Sequence, residues 1–327
     1  MNLIDLACQL YIGTDDGVRV LHVAEGEATV VREAVTGNAV RDIAVAPTDP
    51  ETAYVGCGLR GWGLHRTTDG GQHFEEVGFA DEWVWGVTYA PNGTLYVGTE
   101  PPMLYRQTAD GFSPLTGISD VPSREEWYFF YEPFEAGHVH GLTIHPARPD
   151  RFYADIEVGG VIYSHNGGET WHPTLRGTDV HRLAVAPSDP DRVLAATGDG
   201  VFVSEDAGQS WTSIEVFSNR YVKAVQFAPD TPNTVYTSGA ATPGADRTRL
   251  MRSEDSGCSW SEVTTFRADG VAGMVGLRVY RDDILFHSEY VDDECDRICV
   301  STDGGDTWTA FTPELPRVRT LTAAPTQ

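Results

Sequence analysis

A short phrase recurs along this chain of 327 residues: Ser164-His-Asn-Gly-Gly-Glu-Thr-Trp171, Ser204-Glu-Asp-Ala-Gly-Gln-Ser-Trp211, Ser253-Glu-Asp-Ser-Gly-Cys-Ser-Trp260 and Ser301-Thr-Asp-Gly-Gly-Asp-Thr-Trp308. A weaker copy, Thr67-Thr-Asp-Gly-Gly-Gln-His-Phe74, lies nearer the N-terminus. A period of about 40 to 50 residues is the signature of stacked supersecondary units, propeller blades in particular. Within the phrase, the Asp accepts hydrogen bonds from the backbone of its own turn. The Gly supplies a positive φ without steric cost, and the Trp begins a strand and covers apolar surface.

A second repeat runs out of phase with the first. Val-Arg41-Asp-Ile-Ala-Val-Ala-Pro47 recurs with Trp85, His140, His181, Lys223 and Arg319 in place of Arg41, each six residues before a proline. This is a short buried strand stopped by a residue that cannot donate to a ladder. A second strand follows, as in Leu95-Tyr-Val-Gly98, and a third leads into the Ser/Asp phrase. One unit thus reads as four antiparallel strands, innermost first.

Units start near residues 38, 83, 138, 179, 221 and 271, and a last innermost strand lies at about 318–323. The N-terminus supplies three strands for that last one. The expectation is an all-β, seven-bladed β-propeller in one domain, its ring closed by the C-terminal strand joining three N-terminal strands and so hiding its edges. The blades would span approximately 38–77, 83–116, 138–175, 179–214, 221–263, 271–311, and 318–327 with 1–34. An aromatic insertion at 117–137, containing Glu125-Glu-Trp-Tyr-Phe-Phe-Tyr-Glu-Pro-Phe134, would emerge on the channel face as a lid or pack over a blade edge.

The phrase resembles the Asp-box, or BNR repeat, of sialidase-like, sortilin-like and photosystem-assembly-factor-like propellers. That resemblance implies fold rather than activity, because the box in those families is a turn-forming staple away from the ligand face. It also implies that a sialidase's three arginines would be assembled from Arg41, Arg60 and Arg319. The Arg-Ile-Pro motif of sialidases is absent, and seven blades rather than six are counted.

Composition narrows the partners. There are 48 acidic and 23 basic residues, a net charge of −25, and Lys223 is the single lysine. Such a chain repels nucleic acid and anionic membranes, and a salt-rich cytoplasm would screen its self-repulsion. An acidic chain with almost no lysine points to a halophilic source, with arginine-favouring codon usage as the alternative. No signal peptide or apolar span is visible at the N-terminus, so a cytoplasmic location is expected. The 5 cysteines are expected to be free thiols.

The residues six before each proline should line the top of the channel. Five of the six are Arg, Lys or His, a local reversal of sign in an acidic chain. One reading is structural, with these cations paired to acids after the second strands such as Glu100, Glu157 and Asp199. The other is a funnel for a small anionic or sugar-derived ligand, where Arg and Lys hold a carboxylate, sulfate or phosphate and Trp85 stacks on a sugar. His287 would face the same channel.

Three chemistries follow. A carbohydrate lyase would use His140 or His181 as base and Tyr131 or Tyr290 as acid, with Arg41, Lys223 and Arg319 on a carboxylate. A glycoside hydrolase would use paired carboxylates, Glu100 with Glu157 or Glu157 with Asp199. A metalloenzyme would draw on His140, His181 and His287 for a divalent cation, although no cofactor is required by any motif. The non-catalytic alternative is a scaffold that binds a protein or peptide on the same face.

Overall fold

The computed structural model describes residues 3–128, 137–268 and 276–326. Seven antiparallel sheets form the ring of a seven-bladed propeller. Six blades follow the chain in simple order from Val40–Ala46 onward, each with its innermost strand first. The seventh is composite. Val318–Pro325 lies innermost and pairs with Cys8–Thr14, which is followed outward by Gly17–Ala24 and Glu27–Ala34. The sixth departs from the template, because Leu315–Pro316 adds a short fifth strand beside Cys295–Ser301. Its expected start at 271 lies outside the described residues, and its first described strand is Leu277–Arg281.

Alternate residues of the inner and middle strands fill the gaps between blades. Leu10, Ile12 and Leu21 meet Phe286, Ile298 and Leu321 in one such cluster, all nearly or completely buried. At about 25 cal/mol per Å² of apolar surface, these sheet-to-sheet contacts are the main stabilising term.

The five boxes are built alike. The Ser or Thr hydroxyl accepts from the Gly amide four residues on at 2.8–2.9 Å, and the Asp (Asn166 in the third blade) accepts from the amide four residues after it. Each Trp donates its indole N–H to the box Gly carbonyl. Each box also donates one amide to the start of its blade's second strand or the turn before it, as Gly167 N does to Asp150 O at 2.9 Å. That turn follows the proline end of the inner strand, so the boxes occupy the face opposite the mouth described next.

Candidate functional site

The position six residues before each proline has a specific backbone cause. In the inner strand of the first blade, Val40 pairs with Cys57 and Asp42 with Gly56, leaving Arg41 unpaired. The same register shift leaves out Trp85, His140, His181, Lys223 and Arg319. All six are therefore β-bulge residues, and a bulge re-aims its side chain at the end of a ladder. In the sixth blade the matching position, four before Val279, is Val275, which lies outside the described residues.

The bulges line the mouth of a central cavity of about 860 Å³. Its charged wall contains Arg41, Arg182, Lys223, Arg278 and Arg319 against Asp42 and Glu157. In a chain of net charge −25, this is a reversal of sign where field lines focus.

The bulge residues are not equally available. Arg319 is engaged in a bidentate pair with Asp15, whose carboxyl lies below its usual range because Arg319 outweighs the cost of burial. Arg41 donates Nε–H to the carbonyl of Gly58 at 3.0 Å and lies 5.1 Å from the centre of the Trp85 ring. Trp85 itself is 7% exposed. Its indole N–H donates to Glu100 at 3.1 Å and His138 stacks on it at 3.7 Å, so the ring is no open sugar platform. Glu100, expected to meet ligand, is buried beneath this stack and also lies 3.2 Å from His138 Nδ1.

The two bulged histidines form a relay between blades. His140 donates Nδ1–H to the carbonyl of His181 at 2.8 Å, and His181 donates Nδ1–H to Val222 O at 2.7 Å. A carbonyl only accepts, so these bonds place the proton on Nδ1 in each ring. Burial, reinforced by the charges of Arg182 and Lys223 respectively, lowers both below the ordinary imidazole value. His181 Nε2 faces Asp179 Oδ2 at 3.0 Å.

Asp179 completes a carboxyl pair with Glu157. The ligand atoms of Glu157, Asp179 and His181 all lie within 4.8 Å of one another. Burial, together with the charge of Asp179, drives the Glu157 carboxyl up, so it is protonated at neutral pH. Asp179 is buried too, but its carboxyl is held low by His181 whenever that ring carries both protons and by the charge of Lys223. Lys223 lies 4.9 Å from the centre of the Tyr221 ring, and burial lowers its own affinity for a proton. The mouth therefore holds one neutral and one ionised carboxyl in close range, beside a lysine.

Several expected site residues lie elsewhere. Asp199 is exposed on the turn after its strand and does not reach the cavity. Asp179 takes the acidic place instead, from the segment entering the same blade. The signal for it was in the sequence: Asp179 stands two residues before a bulged histidine. Arg60 is exposed at the rim, outside the cavity wall. His287 is fully buried, stacked on Phe266 at 4.0 Å and hydrogen-bonded to Ser238 at 2.8 Å, because it is a ladder residue of a middle strand. It neither lines the channel nor approaches the other histidines as a metal ligand. Tyr131 lies outside the described residues. Of the insertion's aromatics, Trp127 is buried in the core between the second and third blades, whereas Tyr128 is exposed. Tyr290 bonds to Asp293 in its own turn at 2.8 Å. All five cysteines are unpaired, Cys295 and Cys299 among them. No helix among the described residues is long and apolar enough to cross a membrane.

A family model described as BNR/Asp-box repeat matches residues 162–173. The chain is 27% identical over 218 residues to a xyloglucanase of a Paenibacillus species, covering 53% of this chain and 21% of that protein. It thus spans about a fifth of the length of the curated relatives it matches. Among solved structures, the GH74 xyloglucanase from Xanthomonas campestris superposes with a TM-score of 0.69 at 16% identity, over 92% of this chain and 51% of that one. YCF48 bound to D1 peptide superposes with a TM-score of 0.55 at 15% identity, over 84% and 83%. At these identities the likeness is one of fold.

Proposed function

We propose that this chain, a member of the BNR/Asp-box repeat β-propeller superfamily, is a glycoside hydrolase acting on a saccharide bound at the channel mouth. The observation that carries the proposal is the Glu157–Asp179 pair, two carboxyls in close range whose surroundings hold one neutral and the other ionised. Opposed protonation of neighbouring acids is what glycoside cleavage requires. The similarity to xyloglucanases supports a carbohydrate substrate, and the excess of cations in the wall suits one that carries a negative group.

In this reading Glu157 donates its proton to the glycosidic oxygen as the bond to the anomeric carbon breaks. Asp179 attacks that carbon, and water then displaces it with Glu157 as base. The pair stands too close for the roughly 6.5–9.5 Å that an inverting enzyme needs for its water, so retention of configuration is expected. Lys223 steadies the ionised Asp179. Both histidines hold Nδ1 protons against carbonyls and position the pair.

Glu157, Asp179 and His181 also have the donor types and spacing of a divalent-metal site. The ammonium of Lys223 beside them opposes a second positive charge, so the hydrolase is expected to act without an added cation. The test is hydrolysis of a panel of neutral and acidic oligosaccharides, with and without chelator. Wild type should cleave at least one member, while Glu157→Gln and Asp179→Asn lower kcat by at least about 100-fold with folding intact. An inert wild type across the panel would overturn the hydrolase and favour a binding scaffold, and abolition by chelator would favour the metal.

A further inference from the structure

Below the bulges the inner strands form a second ring, at the level of Asp42, Gly86, Gly141, Arg182, Ala224, Gly276 and Thr320. Arg278 stands two residues after Gly276, at the next inward-facing position of the sixth blade, and also lines the cavity. This waist thus carries two guanidiniums where most blades have small or apolar side chains.

Neither guanidinium is satisfied by the protein. Among the described residues, Arg182 has one ion-pair partner, Asp42, at 4.0 Å, and donates no hydrogen bond. Arg278 has none, and its Nε is buried without an acceptor. Asp42 is the anion nearest both, and each of its oxygens already accepts one backbone amide. Oδ1 accepts from the Ile43 amide at 3.0 Å and Oδ2 from the Val87 amide at 3.1 Å, which ties the first blade to the second. Asp155, the other acid at this level, reaches inward over Gly141, where a Cβ would meet its Oδ1 at 2.9 Å. It is 1% exposed, and burial raises its pKa to about 7, so it supplies only part of a countercharge.

A buried donor without an acceptor, as Arg278 Nε is, costs free energy, and two guanidiniums on one cavity wall repel each other. Structures keep such an arrangement where an outside acceptor completes it, and the guanidinium fork matches an oxyanion in both geometry and charge. We propose that the channel waist is a binding site for an oxyanion (phosphate, sulfate or carboxylate), with Arg182 and Arg278 as its two forks and Asp42 as the fixed group between them. The site is separate from the Glu157–Asp179 pair, and the proposal does not depend on the hydrolase reading. The oxyanion belongs either to a charged sugar inserted end-on through the mouth or to a free inorganic ion.

The test is calorimetric titration with inorganic phosphate at low ionic strength, on wild type, Arg182→Gln, Arg278→Gln and, as a surface control, Arg106→Gln. Saturable binding is expected in wild type and the control, weakened at least about 10-fold in each waist variant. Thermal unfolding without phosphate keeps the result readable. Arg278→Gln should melt at or above wild type, since an unsatisfied buried charge has been removed. If that variant does not fold, Arg182→Gln, whose side chain is 36% exposed, decides alone. A second arm repeats the titration with a sugar phosphate and a uronate. Tighter binding than phosphate, still lost in the waist variants, assigns the anion to a sugar, and equal or weaker binding assigns it to the free ion. Absence of saturable binding by all three ligands, or binding indifferent to both waist substitutions, would overturn the proposal.

Discussion

His181 donates its Nδ1 proton to the backbone carbonyl of Val222 at 2.7 Å, and this bond turns its Nε2 towards Asp179 at 3.0 Å. The partner carbonyl belongs to the residue just before the bulged Lys223 in the next blade. Blade-to-blade packing and the protonation of the mouth are therefore coupled. His181→Phe should keep much of the packing while removing the ring that, in its doubly protonated form, bonds to Asp179 and favours its ionised state. We expect the acid limb of the pH–kcat profile to move upward, with KM changed less than kcat. An unmoved acid limb would show that His181 does not set the state of Asp179.

The Glu157 carboxyl is driven above its ordinary value, and this has a stability consequence whose sign is fixed. A group with a raised folded pKa contributes stability that is complete below its unfolded pKa and is lost as pH rises through the folded one. Wild type should therefore lose stability progressively from mildly acidic to mildly alkaline pH. Glu157→Gln, which is neutral throughout, should flatten that slope when Tm is followed across the range. In the hydrolase, kcat should fall over the same alkaline limb.

Lys223 sits desolvated beside Glu157 and Asp179, and its positive charge lowers the Glu157 pKa. Lys223→Met should change folding stability by no more than about 1–2 kcal/mol, because an apolar side chain suits the site while two acids lose a cation. The alkaline limb of activity should then shift to higher pH. A downward shift would contradict the electrostatic role given to this lysine.

Trp85→Ala removes a buried indole stacked on His138 and bonded to Glu100. The expected cost is about 3–5 kcal/mol, as for other buried large-to-small changes, read by denaturant unfolding. A variant of normal stability with weakened ligand binding would restore Trp85 to the ligand face.

Ser253→Ala deletes a buried hydroxyl that accepts from the Gly257 amide at 2.8 Å and donates to Asp255 at 2.8 Å. Leaving the amide unpaired should cost about 1–3 kcal/mol. Ligand affinity should not change, since the box lies on the far face.

The propeller was legible because its signals are local and repeated. The Ser/Asp/Gly/Trp box makes its turn from eight consecutive residues, and Pro47 and its counterparts end each inner strand by their own chemistry. The same repeat brought out Arg41, Trp85, His140, His181, Lys223 and Arg319 as equivalent positions, and all six prove to be bulges at one level of the channel. Equivalence in sequence could not say which of them are engaged. Arg319 is held by Asp15 from the other end of the chain, and Trp85 is covered by His138.

Which acids face the cations is also a question of three dimensions. Asp199 and Asp179 flank the same blade, yet only Asp179 meets Glu157, because the position matching Glu157 in that blade is Gly198 and Asp199 falls one residue further round the turn, exposed. The waist pair Arg182 and Arg278 comes from blades far apart in the chain, and Asp42, held by two amides, stands 4.0 Å from Arg182 without a hydrogen bond to it. Turn chemistry and strand endings depend on neighbours in sequence, so the sequence by itself determined the fold and the ring of candidate positions. Pairing, burial and proton affinity depend on distances across the channel, so only the closed ring decided which residues form the candidate site.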